Sequence, residues 1–304
     1  MTHWIWILIL LITFSCKSQT LPVPKVNEGH LDFIASFPSM HVDARPVAIW
    51  QSPLSDPNKE HVLIILHDGQ MLFDQAITWN HEEWHIDEHL SALEKKFTHL
   101  DFLVVGIYNN GSKRHAEYFP EKPFLQLPQA FQDSIYDHTK RNNQPLFSTS
   151  IYSDRYLHFI TSEIIPYVRK NYVETTIENT WIGGASMGGL ISWYALNEYP
   201  DIFGKALCFS THWPGVWPQD DPFLKVFKSF ENYQRNCKTA SAPVYYFDHG
   251  DQTLDQYYAP YQSRIDTLLK SKGVSYHSLI YPQTDHSERS WSSHFSHAVE
   301  LLLK

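Results

Sequence analysis

The order of apolar and polar positions divides the chain into alternating strands and helices. Residues 31–37 and 42–50 read as two strands of a hairpin, with Pro38-Ser39 at the turn. His61-Val62-Leu63-Ile64-Ile65-Leu66 and Phe102-Leu103-Val104-Val105-Gly106-Ile107 are continuous runs, the pattern of strands buried on both faces. Between them, Trp84, Ile86, Leu90, Leu93 and Phe97 recur at helical spacing, which predicts a helix over 82–96. A proline-punctuated stretch, 108–150, predicts a long loop of the kind that walls a binding site.

Beyond it the pattern predicts helix 153–171, a short strand at Thr180-Trp181-Ile182-Gly183 and a helix beginning near Met187. Strand 205–210, an aromatic loop 211–221, helix 222–234 and strand 243–248 follow. Helix 256–272, strand 274–281 and helix 290–303 complete the chain. Strand and helix alternate at least four times, which demands a mostly parallel sheet with helices on both faces. The expected class is α/β, with an N-terminal β-hairpin.

The richest local signal is Gly184-Ala185-Ser186-Met187-Gly188, a match to G-x-S-x-G set between a strand and a helix. Such a turn is too tight for large flanking residues, and it holds the Ser hydroxyl at a helix N-terminus. Of the chain's 12 glycines, Gly183, Gly184, Gly188 and Gly189 fall within seven residues, as close helix–strand approach requires. A serine becomes a nucleophile only beside a base that is itself oriented by an acid. In this arrangement the order is Ser, acid, His, with the last two in loops after later strands. His286 alone among the later histidines has that order and a loop position. His212 comes too early, His249 stands where the acid should be, His277 lies in a strand, and His294 and His297 lie on the last helix. Asp248 is expected on the strand itself, which leaves Asp251 and Asp255 as candidate acids.

These residues resemble the putative-esterase family of α/β hydrolases, with esterase D, feruloyl and acetylxylan esterases, enterochelin esterases and mycolyltransferases. The resemblance covers about residues 31–304. It rests on Leu66-His67-Asp68-Gly69-Gln70, on Arg114-His115-Ala116-Glu117-Tyr118-Phe119-Pro120, on Gly184-Ala185-Ser186-Met187-Gly188-Gly189, and on His286 followed by Trp291. It implies a serine carboxylic-ester hydrolase with an oxyanion hole from the main-chain N–H groups of Met187 and Gln70, and no cofactor. It implies Asp255 as the acid, with Asp251 still open. It places Asp68, Arg114, Glu117 and Tyr118 at the substrate pocket. Acylated sugars, hydroxycinnamate esters and siderophore esters are the substrate classes implied, and an acyltransferase on the same site is an alternative.

Other features change this picture only at its edges. His81-Glu82-Glu83-Trp84-His85 matches H-E-x-x-H, so a zinc hydrolase through His81 and His85 is a rival if the match lies inside a helix. A non-catalytic carbohydrate-binding lipoprotein is another, carried by Trp79, Trp84, Trp213 and Trp217. The net charge of -9 and the lack of any basic run exclude a nucleic-acid partner. Trp4 to Phe14 is an apolar run too short to span a bilayer, followed by Ser15-Cys16. Residues 1–16 therefore read as a secretory signal ending at a lipidated Cys16, and 17–30 as a tether. The expected location is the periplasm or outer membrane of a bacterium. Cys208 and Cys237 read equally as a disulfide or as free thiols.

Overall fold

The computed structural model describes residues 21–141, 143–217, 220–221, 224–237 and 243–304. The expected signal, Cys16 and the start of the tether lie outside them. The rest of the expected tether is not free. The main-chain N–H groups of Asn27 and Glu28 donate to Asp87, and that of Lys25 donates to Asp74, so this segment lies against the molecule.

The centre is an eight-stranded sheet in the order β1-β2-β4-β3-β7-β8-β9-β10. Its strands are β1 (His30–Phe37), β2 (Arg45–Gln51), β3 (Glu60–His67), β4 (Leu100–Ile107), β7 (Thr180–Ala185), β8 (Lys205–Phe209), β9 (Val244–His249) and β10 (Ser275–Ile280). The small ribbon β5 (Lys140–Arg141) and β6 (Gln144–Pro145) stands apart. The β1–β2 and β2–β4 pairs are antiparallel and the rest are parallel, so the predicted hairpin extends an otherwise parallel sheet.

Helices cover both faces because the central strands are apolar on both. α1 (Ile86–Lys96) and α10 (Glu288–Leu302) bury Leu90, Leu93, Phe295 and Val299 against one face. On the other lie α5 (Ser153–Phe159), α6 (Ile165–Asn171), α7 (Met187–Glu198), α8 (Lys225–Asn236) and α9 (Ala259–Ser271). α5 and α6 are one rod joined by a π turn, Ile160–Ile164. Pro166 sits in the first turn of α6, where it has no N–H to give to the preceding turn. α7 is buried for ten of its twelve residues, as expected of a helix apolar all round.

The stretch expected to be loop carries three short helices: α2 (Arg114–Tyr118), α3 (Glu121–Leu125) and α4 (Gln129–His138). Pro120 and Pro128 stand at the N-caps of α3 and α4. The prolines there start helices as well as breaking them. The expected first residues of helix 222–234 lie partly outside the described residues; α8 runs from Lys225. Cys208 and Cys237 are free thiols.

Candidate active site

Strands β3, β7, β8 and β9 are parallel, so their C-terminal ends share one edge of the sheet, and the site forms there. Ser186 follows β7 and is the N-cap of α7, at φ 58° and ψ -119°. This is backbone strain in a non-glycine residue, held by the flanking elements: Ser186 N–H donates to Phe209 O, and Ser186 O accepts from Leu190 and His212. The small neighbours are forced by contact. A Cβ on Gly184 would lie 3.1 Å from the backbone of Gly188.

The candidate acid Asp255 lies in the turn after β9. Asp255 is 1% exposed. One carboxylate oxygen is 2.5 Å from His286 Nδ1. The other accepts from Gly250 N–H at 2.7 Å and from Ser210 Oγ at 2.6 Å. Ser210 in turn accepts from the Trp291 indole N–H at 2.8 Å. The loop carrying His286 is fastened to the acid's turn. His286 N–H donates to Thr253 Oγ1, and a Cβ on Gly250 would lie 2.1 Å from Thr284 O, so only glycine lets the two loops meet. The edge of the Trp291 ring packs on His286 at 5.0 Å.

Of the two candidate acids, only Asp255 meets His286. Asp251 is exposed, and its Oδ1 accepts from Gln283 N–H and the Gln252 amide. Asp248 is on β9, as expected, and faces a different histidine, His294, at 3.3 Å.

Ser186 and His286 both face a cavity of about 660 Å³. Met187 and Gln70 line it too, as do Asp68 and Arg114. Asp68 turns the chain at φ 57° and accepts from Arg114 Nε and Nη2 and from Asn109 Nδ2, each at 2.7 Å. Burial opposes the Asp68 charge, but the Arg114 guanidinium and these bonds outweigh it and hold the carboxyl below its usual range.

Glu117 and Tyr118, expected at the pocket, are corrected by the structure: both are fully buried behind it. Glu117 pairs with Arg45 through both oxygens, at 2.6 and 2.8 Å, and accepts from Tyr152. Tyr118 packs on His67 and Tyr156. α2 places Arg114 toward the cavity and Glu117 toward the core.

The zinc rival fails on geometry. α1 begins at Ile86, so neither His81 nor His85 lies within it, and both have positive φ, 59° and 51°. His85 instead faces Glu83 and Glu88. No group of three or more His, Cys, Asp or Glu side chains suited to a metal occurs among the described residues. The fold also brings to the site Ser210 and Tyr258, which the sequence did not mark, and His212, set aside there as too early in the chain; they stand 24 to 72 positions beyond Ser186. No spacing rule marks them.

A sequence model of the family described as Putative esterase matches residues 43–302. The chain belongs to that family. A curated relative, the uncharacterized protein YbbA of Bacillus subtilis (strain 168), is 43% identical over 51 residues, which is 16% of this chain and 20% of the relative. The chain thus spans about a fifth of that relative's length in the match. Among solved structures it resembles the enterobactin esterase FES of Shigella flexneri, determined in the presence of enterobactin. That likeness has a TM-score of 0.65 at 16% identity and covers 92% of this chain and 60% of the other. It also resembles a CE1 ferulic acid esterase of Anaeromyces mucronatus in complex with ferulic acid, with a TM-score of 0.60 at 16% identity over 95% and 97% of the two chains. These likenesses establish the α/β-hydrolase fold.

Proposed function

We propose that the protein is a serine carboxylic-ester hydrolase in which Ser186 attacks, His286 moves the proton and Asp255 orients His286. The observation that carries this reading is the bond from buried Asp255 to His286 Nδ1, in a cavity that Ser186 also lines. With Nδ1–H given to Asp255, the other ring nitrogen is free to accept the Ser186 proton. Ser186 Oγ then bonds the ester carbonyl carbon. Its oxygen gains charge beside the main-chain N–H groups of Met187 and Gln70, the oxyanion hole of this reading. Met187 opens α7, where a first-turn N–H has no helical partner, and the helix N-terminus favours an anion. His286 next protonates the leaving alcohol, and water repeats the cycle on the acyl-enzyme. No step draws on a cofactor.

For the substrate we infer an ester with an aromatic or sugar moiety, whether a hydroxycinnamate, an acylated sugar or an aryl siderophore ester. Trp79, Trp84, Trp217 and Trp291 line the cavity, and Trp79 is exposed at its mouth. Flat apolar faces of this kind stack on such groups. Asp68 and Arg114 pair with each other there, and Glu82 and Glu288 also line the cavity. The test is a panel of aryl and acylated-sugar esters with wild type and Ser186→Ala. Hydrolysis by wild type and a loss of at least about 10³-fold in the variant is the expected result. A folded wild type that cleaves none of the panel, or equal rates in both proteins, overturns the reading.

A further inference from the structure

The charges along the cavity are unequal. Among the described residues, Asp68, Glu82 and Glu288 line it against one guanidinium, that of Arg114. Arg114 is already taken, since its Nε and Nη2 both donate to Asp68 at 2.7 Å. His67 and His212 add no positive charge, because burial lowers both imidazoles, His67 to about 3 and His212 well below its usual range. Glu82 has a cation 3.5 Å away in Arg289, but that side chain is largely exposed and solvent screens it. Glu288 is held by a neutral group: its Oε2 accepts from Asn80 Nδ2 at 2.7 Å.

Glu288 opens α10, two residues after His286, with Ser287 as the N-cap accepting from Ser290 N–H. A carboxylate in the first turn answers the positive end of the helix, so that end is not left to attract an anion. Burial raises the Glu288 carboxyl above its usual range. Glu82 and Asp68 add to the rise, while its own main-chain N–H and the Asn80 amide oppose it. A cation brought alongside relieves that repulsion, and another anion deepens it. Trp79, next to Asn80 in the chain, is exposed at the cavity mouth, and an aromatic face is the other surface to which an ammonium group is drawn. In the reaction proposed above His286 protonates the leaving alcohol, so the alcohol departs on the side where α10 begins.

We propose that the enzyme selects esters whose alcohol carries a cation, an ammonium or quaternary ammonium group, and that Glu288 is the residue that sets this preference. This rests on the reading of Ser186, His286 and Asp255 as the acyl-transfer machinery, and adds to it the charge of the alcohol. Glu288 acts on binding and not on the reacting atoms. Its loss therefore raises KM for the cationic ester and leaves kcat and the neutral ester nearly unchanged. An alcohol bearing a carboxylate meets three anions and a guanidinium already paired, and is disfavoured.

The test is kcat/KM, at about pH 8, for three benzoate esters: of choline, of its neutral isostere 3,3-dimethylbutanol and of 3-hydroxypropanoate. Each value is divided by the rate of the same ester in hydroxide, which removes the leaving group's own reactivity. Wild type is expected to prefer the choline ester to the neutral one by about tenfold, the worth of one half-screened ion pair with an aromatic face beside it, and to cleave the anionic ester most slowly. Glu288→Gln keeps the shape and can still accept from Asn80. It should cut the preference to about threefold or less through KM, with the neutral ester within about twofold of wild type. A folded wild type that cleaves none of the three, or a Ser186→Ala variant equally active, refutes the underlying reading and the proposal with it. Cleavage without a preference for the cation, or a preference that survives Glu288→Gln, overturns the proposal alone. If a thermal melt shows the variant unfolded, wild type is treated with an N,N-dimethylaziridinium ion, whose ring C–N bond breaks as a carboxylate oxygen bonds the carbon. Labelling of Glu288 that the choline ester blocks, located by mass spectrometry, upholds the proposal, and no label there overturns it.

Discussion

Asp255→Asn is nearly isosteric, and the structure dictates which way the new amide must face. Gly250 N–H is a donor aimed at Oδ2. Ser210 is one as well: its oxygen already accepts from the Trp291 indole, so its own proton goes to Asp255. Two donors at that end require the Asn oxygen there, and the NH₂ must then face His286. A donor opposite Nδ1 forces the proton of the neutral ring onto the other nitrogen, the one that must accept from Ser186. Geometry is kept and the tautomer is wrong. By analogy with the serine-protease triad, this costs about 10⁴ in kcat, or about 5 kcal/mol of barrier. The variant's melting temperature should stay close to wild type, because each donor keeps a partner. The assay is kcat on a hydrolysed aryl ester, with Asp251→Asn in parallel. The Asp251 carboxylate accepts from Gln283 N–H and the Gln252 amide, at the surface, so its replacement should cost less than about 1 kcal/mol of stability and little rate. The argument is refuted if Asp255→Asn stays within tenfold of wild type, or if Asp251→Asn is the slower of the two.

Glu117→Gln tests the corrected role of the Arg-His-Ala-Glu-Tyr segment. It leaves the Arg45 charge buried against a neutral amide, and should lower stability by about 3–5 kcal/mol in denaturant unfolding, with KM little changed for enzyme that remains folded. A selective rise in KM at unchanged stability would return Glu117 to the substrate pocket. His67 supplies a pH dependence. Burial first, then Arg114, lower its pKa from 6.5 to about 3, against the pull of Asp68. Between those values the unfolded chain binds the proton and the native one does not. The contribution of His67 is whole above about pH 6.5 and is lost as pH falls toward 3, by up to about 4–5 kcal/mol. His67→Gln should flatten the wild-type loss of stability over that window, and parallel stability–pH curves would contradict it.

What could be read in the sequence divides along physical lines. The placement of Ser186, His286 and the two candidate acids was legible because chain order in a parallel sheet fixes which loops share an edge, and the runs of β3, β4 and β7 announce that sheet. The choice between Asp251 and Asp255 was not a matter of order. Both sit in one turn, and the decision lies in which carboxylate the Gly250–Thr284 contact and Ser210 enclose. The segment 114–118 shows a different limit. Its residues fit a family pattern, but a five-residue helix presents opposite sides to cavity and core, and only the partner Arg45, 72 positions from Glu117, reveals which side Glu117 takes. H-E-x-x-H failed for the reason that makes the motif conditional: its spacing has meaning only within a helix, and α1 starts at Ile86, after the whole motif has passed. The His212–Tyr258 pair lay beyond any such reading, since 46 positions separate its members and neither spacing nor residue type marks a hydroxyl that bridges them. Such a contact exists only when β8 and β9 are neighbours. The same adjacency brings Ser210 to Asp255, so the hydroxyl that holds Asp255 and the imidazole that meets Tyr258 both come from the one loop after β8.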